Sequence, residues 1–213
     1  MSMNITNYLL KIYGYDAPIF LKDVRIGGKS KTAIREAFYR AAKRGELTME
    51  GNGVYYIKSN KEFGNVITFE EIVAQKFIYP NCTDNPLNEL FIEGYYSGLT
   101  FVNMIGISQQ VPAILEVTTN RTSSKKRIYA VNKRMAYIRK GRTEINFQNW
   151  KILQFLDMFH FVSLREVKEN KKLLRDYIQK NKFSKQDFTK YIKLYGTQTI
   201  KKIKESGLES AFL

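Results

Sequence analysis

Lys29, Ser30, Lys31, Thr32, Arg35, Tyr39, Arg40, Lys43 and Arg44 are the side chains of this sequence best suited to meeting a polyanion. An arginine fork can bond guanine O6 and N7 together, while lysines and hydroxyls reach phosphate oxygens. At about 100° per residue, Thr32, Arg35, Glu36, Tyr39, Arg40 and Lys43 share one helical face, and Ile34, Ala37, Phe38 and Ala41 share the other. A solvated basic face on a small helical domain would give the same pattern. The flanking segments must therefore distinguish the two.

Ser30 can cap this helix through its hydroxyl, and Gly45 can end it in a left-handed conformation. Leu47–Glu50 and Val54–Ile57 then read as strands around Gly51-Asn52-Gly53, a loop that reaches positive φ cheaply. Upstream, Ile5, Leu9, Ile12 and Tyr13 form a helical stripe over Asn4–Tyr13, ended by Gly14. Phe20–Ile26 reads as a short second helix, and Gly27-Gly28-Lys29 as the turn before Ser30. That order is a winged helix-turn-helix, a unit that places one helix in a major groove and a wing over the backbone. Within it, Ser30, Lys31, Thr32, Arg35 and Glu36 sit where base edges are reached. Arg35 is the first choice for base readout, with a phosphate contact its equal alternative. Lys29, Lys31, Arg40, Lys43 and Arg44 suit phosphates, Tyr39 could bond one, and Asn52 at the wing tip suits the minor groove or backbone. Phe38 belongs to the core.

The 213-residue chain carries Lys+Arg 35 against Asp+Glu 20, a formal charge of +15. The excess lies on residues 1–60 and 113–213, with a mildly acidic stretch over 61–112 between them. A strong localised positive charge points to nucleic acid. A membrane surface is the competitor, but no segment pairs a basic face with a large aromatic one, and no apolar run reaches membrane length. With no signal-peptide pattern and Cys82 the single cysteine, the expected compartment is a reducing cytoplasm.

Catalysis finds little support in the residue types. His160 is the only histidine, no glycine–lysine phosphate loop or G-x-S-x-G is present, and no cysteine pair could hold zinc. Glu116 is the one tempting carboxylate, but Val117 and Thr118 follow where a metal nuclease would want its lysine. No catalytic residue, metal or cofactor is expected.

The fold class expected is α+β: a winged helix-turn-helix over residues 1–60, then a mixed domain over 66–213 with a small sheet (113–140) and C-terminal helices (146–213). Lys58–Asn65 reads as the linker. Thr68–Glu71 matches a capping box that opens a helix to about Tyr79, followed by a loop over Pro80–Pro86. Asn88–Gly106 holds an apolar helix from Tyr95 to Ile105 that should be buried. Ala113–Thr119, Arg127–Val131 and Arg134–Lys140 are rich in strand formers. Phe147–Phe161 is an amphipathic helix. Ser163–Glu166 caps a second, with Leu164, Val167, Leu174 and Ile178 on one stripe. Ser184 caps a third, and Thr199–Ser206 forms a last one. Arg121, Lys125, Lys126, Arg127, Lys133, Arg134, Arg139, Lys140 and Arg142 crowd the sheet region and offer a second phosphate-contacting surface, or else a sheet edge protected by charge. Lys168, Lys171, Lys172 and Arg175 add a basic helix face.

Gly94-Tyr95-Tyr96-Ser97-Gly98-Leu99-Thr100, Gly106-Ile107-Ser108-Gln109-Gln110-Val111-Pro112 and Glu116-Val117-Thr118-Thr119-Asn120-Arg121 together resemble the AbiEi family of antitoxins and AbiEi-like transcriptional regulators of type IV toxin–antitoxin (abortive infection) systems. The resemblance spans nearly the whole chain, with the C-terminal helices matching in type and order only. It implies an operon autorepressor that binds inverted repeats in its own promoter, with the basic C-terminal domain contributing. It also implies a nucleotidyltransferase-like toxin as counterpart, opposed without a stable complex. The competing reading is a protein-interaction module around Tyr95–Pro112, with the winged helix as scaffold and no sequence-specific DNA binding. No heptad seam is visible, so a monomer or weak dimer that pairs on DNA is expected.

Overall fold

Asn4 and Ser30 start the two helices of the N-terminal unit by the same device. Asn4 accepts the Thr6 N–H at 2.9 Å and opens α1 (Ile5–Tyr13); Ser30 accepts the Ala33 N–H at 3.1 Å and opens α2 (Lys31–Lys43). Gly14 (φ 77°) and Gly45 (φ 74°) end them. The structure, a computed structural model, describes residues 4–59, 67–80 and 91–212. Residues 60–65 of the expected Lys58–Asn65 linker, most of the 80–86 loop and Cys82 lie outside the described residues.

Strand β1 (Ile19–Phe20), between the two helices in the chain, pairs with β3 (Val54–Tyr56), and β3 pairs with β2 (Thr48–Gly51), giving an antiparallel sheet in the order β1-β3-β2. Gly51, Asn52 and Gly53 all have positive φ, as the loop chemistry requires. The core packs Leu9 of α1 and Ile34, Phe38 and Ala41 of α2 against Ile19, Val24, Ile26 and Tyr55, with Phe38 edge-on to Tyr55 at 5.1 Å.

The expected helix over Phe20–Ile26 does not form. Phe20 is committed to the sheet opposite Val54, and a single turn follows, closed by Asp23 N–H to Phe20 O at 2.8 Å. Arg25 satisfies the freed carbonyls of Lys22 (2.6 Å) and Val24 (2.9 Å), while Val24 and Ile26 fill the core from a segment without regular secondary structure.

Two compact units emerge. The first holds the described residues through Lys76 together with Ala130–Arg134; the second holds Phe77–Pro80 and the remainder. Helix α3 (Phe69–Phe77) opens on the expected capping box, Thr68 and Glu71 bonding reciprocally at 2.7 and 3.2 Å. The second sheet runs β4-β5-β7-β6, from β4 (Gly94–Tyr96), β5 (Leu115–Thr119), β6 (Arg127–Val131) and β7 (Arg134–Lys140). β4 is antiparallel to β5, and β5 is parallel to β7.

Tyr95 and Tyr96 thus belong to a strand, not to the helix expected from Tyr95 onward. Gly98, at φ +59°, breaks the segment before α4 (Gly98–Met104). Phe101 and Val102 of α4 are buried as expected, but Leu99 and Met104 are exposed. The C-terminal layer comprises α5 (Trp150–Met158), α6 (Leu164–Glu169), α7 (Lys171–Lys180), α8 (Lys185–Ile192), α9 (Thr197–Ser206) and a 3₁₀ turn at Glu209–Ala211. The stripe from Leu164 to Ile178 is two helices because Asn170 leaves helical geometry and bonds back to Glu166 O at 2.9 Å. Phe155 centres this core, stacked on Tyr177 at 5.6 Å.

Candidate nucleic-acid interface

Burial of Ile34, Phe38 and Ala41 fixes the rotation of α2 and so decides what it shows to solvent. Lys29, Ser30, Lys31, Thr32, Arg35, Glu36, Tyr39, Arg40, Lys43 and Arg44 are all exposed. Lys31 and Arg35 line a groove of about 700 Å³ whose other walls are Leu21, Lys22, Val24, Arg25, Ile34, Asn52 and Gly53. Four cations from two segments therefore converge on one concavity. Lys22 and Arg25 were hidden from sequence reasoning, because their segment reads as a core-facing helix. Their spacing of three residues was the available signal.

Several expected contacts are spoken for within the chain. Arg44 holds Glu46 with two bonds of 2.6 and 3.0 Å, and Thr6 Oγ1 donates to the same carboxylate at 2.6 Å. The Arg44 hydrogen bond, helped by Thr6, lowers the Glu46 pKa to about 2. This link ties the start of α1 to the end of α2. Lys43 rests 4.9 Å from the Tyr39 ring. Ser30 spends its hydroxyl on the cap. Asn52 donates its amide to Ala130 O at 2.5 Å, so the tip of the β2–β3 hairpin is docked on the β6–β7 turn.

Most arginines of the expected sheet surface also have internal partners. Arg121 pairs with Glu93 at 2.6 Å, Arg134 with Glu70 at 2.5 Å, Arg139 with Glu116, and Arg142 with Asp157 at 3.5 Å. Arg127 bonds Arg121 O at 3.3 Å and lies over the Phe77 ring. Lys126 sits 3.6 Å from the Tyr137 ring centroid, and Lys125, Lys133 and Lys140 are exposed. The guanidiniums are thus first structural groups, a consequence of carboxylates that approach only in the folded chain.

Glu116 caps a helix. Its carboxylate accepts the Leu99 N–H at 3.3 Å and the Arg139 guanidinium, while its own N–H donates to Thr100 Oγ1 at 2.9 Å. A Cβ on Gly98 would lie 2.4 Å from Glu116 Cδ, so this position must be glycine for the carboxylate to reach the helix. Thr119 Oγ1 donates toward Phe77 O (2.7 Å) and Glu93 O (3.0 Å) and accepts the Arg121 N–H. Thr118 and Arg142 face the buried Asp157 carboxylate, whose pKa is raised chiefly by desolvation against the pull of Arg142. Burial also pushes Tyr95 and Tyr195 up. The Gly-Leu-Thr and Glu-Val-Thr-Thr motifs accordingly do structural chemistry. His160 lies at the end of α5, its ring edge-on to Phe161 at 5.3 Å.

Among the described residues no group of three or more His, Cys, Asp or Glu could hold a metal ion, and no helix is long and apolar enough to cross a membrane. Comparison with protein-family models, curated proteins and solved structures finds no match for this chain.

Proposed function

We propose that the N-terminal unit is a winged helix-turn-helix that binds double-stranded DNA, with α2 as the recognition helix. The observation that carries this reading is the convergence of Lys22, Arg25, Lys31 and Arg35 on one groove. The element order α1-β1-turn-α2-β2-β3, with β1 beside β3, supports it, with one turn standing where the second helix would be. Arg35 is the base reader, and Lys22, Arg25, Lys31 and Arg40 position the helix on phosphates. The net charge of +15 favours encounter with a polyanion.

The biological role proposed is autorepressor and antitoxin of a type IV toxin–antitoxin operon, acting on inverted repeats of its own promoter in the cytoplasm. This rests on the resemblance carried by Gly94–Thr100, Gly106–Pro112 and Glu116–Arg121. The counterpart is a nucleotidyltransferase-like toxin, and the chain works without metal or cofactor. In the sheet region of the second unit the exposed Lys125 and Lys140 are the cations that add phosphate contacts. A gel-shift assay on the chain's own promoter, wild type against Lys31→Ala/Arg35→Ala, tests the reading. Loss of the shifted band supports it. An unchanged band would favour the scaffold alternative, with Tyr95–Pro112 as a protein-binding region.

A further inference from the structure

We propose that the second unit contains a binding site for a small planar aromatic anion, in an aromatic cavity of about 660 Å³ beside α5. That volume falls in the range of ordinary small-molecule sites, which are apolar with a few placed polar groups. Tyr95 and Phe101, 1% and 3% exposed, are fixed core residues, and Tyr177 is held between Phe101 (5.9 Å) and Phe155 (5.6 Å). These walls are therefore preorganised and need no collapse to accept a ring. At the opening the situation reverses. Phe147 and Met104 are 64% and 60% exposed, an apolar rim of the kind that marks a binding surface.

The polar groups define the ligand class. Gln154 is buried, and its amide is oriented by a 2.7 Å bond to Tyr96 O. Lys151 is exposed, with Nζ 5.5 Å from the Trp150 ring centroid, and it is the only charged side chain among the described lining residues. Among the described lining residues there is no carboxylate to hold a cation, and the whole chain is strongly positive. Aromatic faces and edges select a flat π-system, and one ammonium at the rim selects an acidic group on it.

Trp150 is the single tryptophan of the chain and lines this cavity, so its indole N–H resonance is assigned without ambiguity. Naphthoate titrated into the full chain should move that resonance saturably, with a Kd below about 100 µM, and naphthalenemethanol should bind about tenfold more weakly. Lys151→Gln should erase the difference between the two, and Phe147→Ala should weaken both. Each replaces an exposed side chain, and an unchanged spectrum elsewhere verifies the fold. No saturable shift at millimolar naphthoate would overturn the site. Equal binding of acid and alcohol would overturn the ligand class.

Discussion

Asn52 and Asn132 sit at the tips of two hairpins in left-handed conformations (φ 49° and 51°), and each binds the backbone of the other's hairpin. Asn52 donates to Ala130 O and Asn132 to Glu50 O, each at 2.5 Å. The amide expected to meet DNA is thereby used inside the protein. Replacing Asn52 by glycine keeps the backbone conformation and removes the bond, so it should cost about 1 kcal/mol of stability, while alanine adds roughly 1 kcal/mol for positive φ. DNA affinity should change less than twofold in Asn52→Gly. Thermal melts alongside fluorescence anisotropy check both parts.

Glu46 makes the N-terminal unit acid-sensitive. Its folded pKa, about 2, lies below the ordinary 4.5, so its contribution is complete above about 4.5 and is lost as pH falls from there toward 2. Glu46→Gln should flatten the decline of melting temperature over that window. A decline equally steep in the variant would remove Glu46 as its cause.

Asp157 acts with the opposite sign. Its folded pKa is raised above 3.8, so the folded chain holds a proton that the unfolded chain releases. Stability from this group falls as pH rises from 3.8 through the folded pKa, and is flat above it. Asp157→Asn should remove that fall and melt no lower than wild type near neutral pH, because Arg142 is 41% exposed and can return to water. A marked destabilisation would mean that the Arg142 ion pair outweighs desolvation.

Gly98→Ala should be strongly destabilising. Positive φ alone costs about 1–2 kcal/mol, and the new Cβ collides with the Glu116 carboxylate. Gly98→Ala/Glu116→Ala relieves the collision but not the φ, so its loss should be smaller than the sum of the single variants. Urea unfolding of the four chains closes the cycle.

Locally encoded features were legible in the sequence. Ser30, Gly45 and the Gly51-Asn52-Gly53 turn act through neighbouring backbone, as do the capping boxes at Thr68 and Ser163, and each forms as read. The Arg127–Val131 and Arg134–Lys140 strands also match their expected bounds. What failed depended on distant partners. Phe20 is drawn from a helix by Val54, and Tyr95 by Thr118. The sheet arginines looked free because Glu70, Glu93, Glu116 and Asp157 approach them only after folding. The α2 face was readable, but its groove was not, since Lys22 and Arg25 join it through a turn that periodicity mistakes for a helix.

The most direct test of the central claim is the salt dependence of binding to the chain's own promoter DNA. Wild type should lose affinity along a straight log–log line, and each phosphate contact removed should lower the slope by about 0.9. Lys22→Ala/Arg25→Ala should therefore flatten the line by nearly two such steps, with similar effects on promoter and unrelated DNA. Arg35→Ala should instead abolish the preference for promoter. Wild-type affinity and slope in all these variants would contradict the assignment of this groove to DNA.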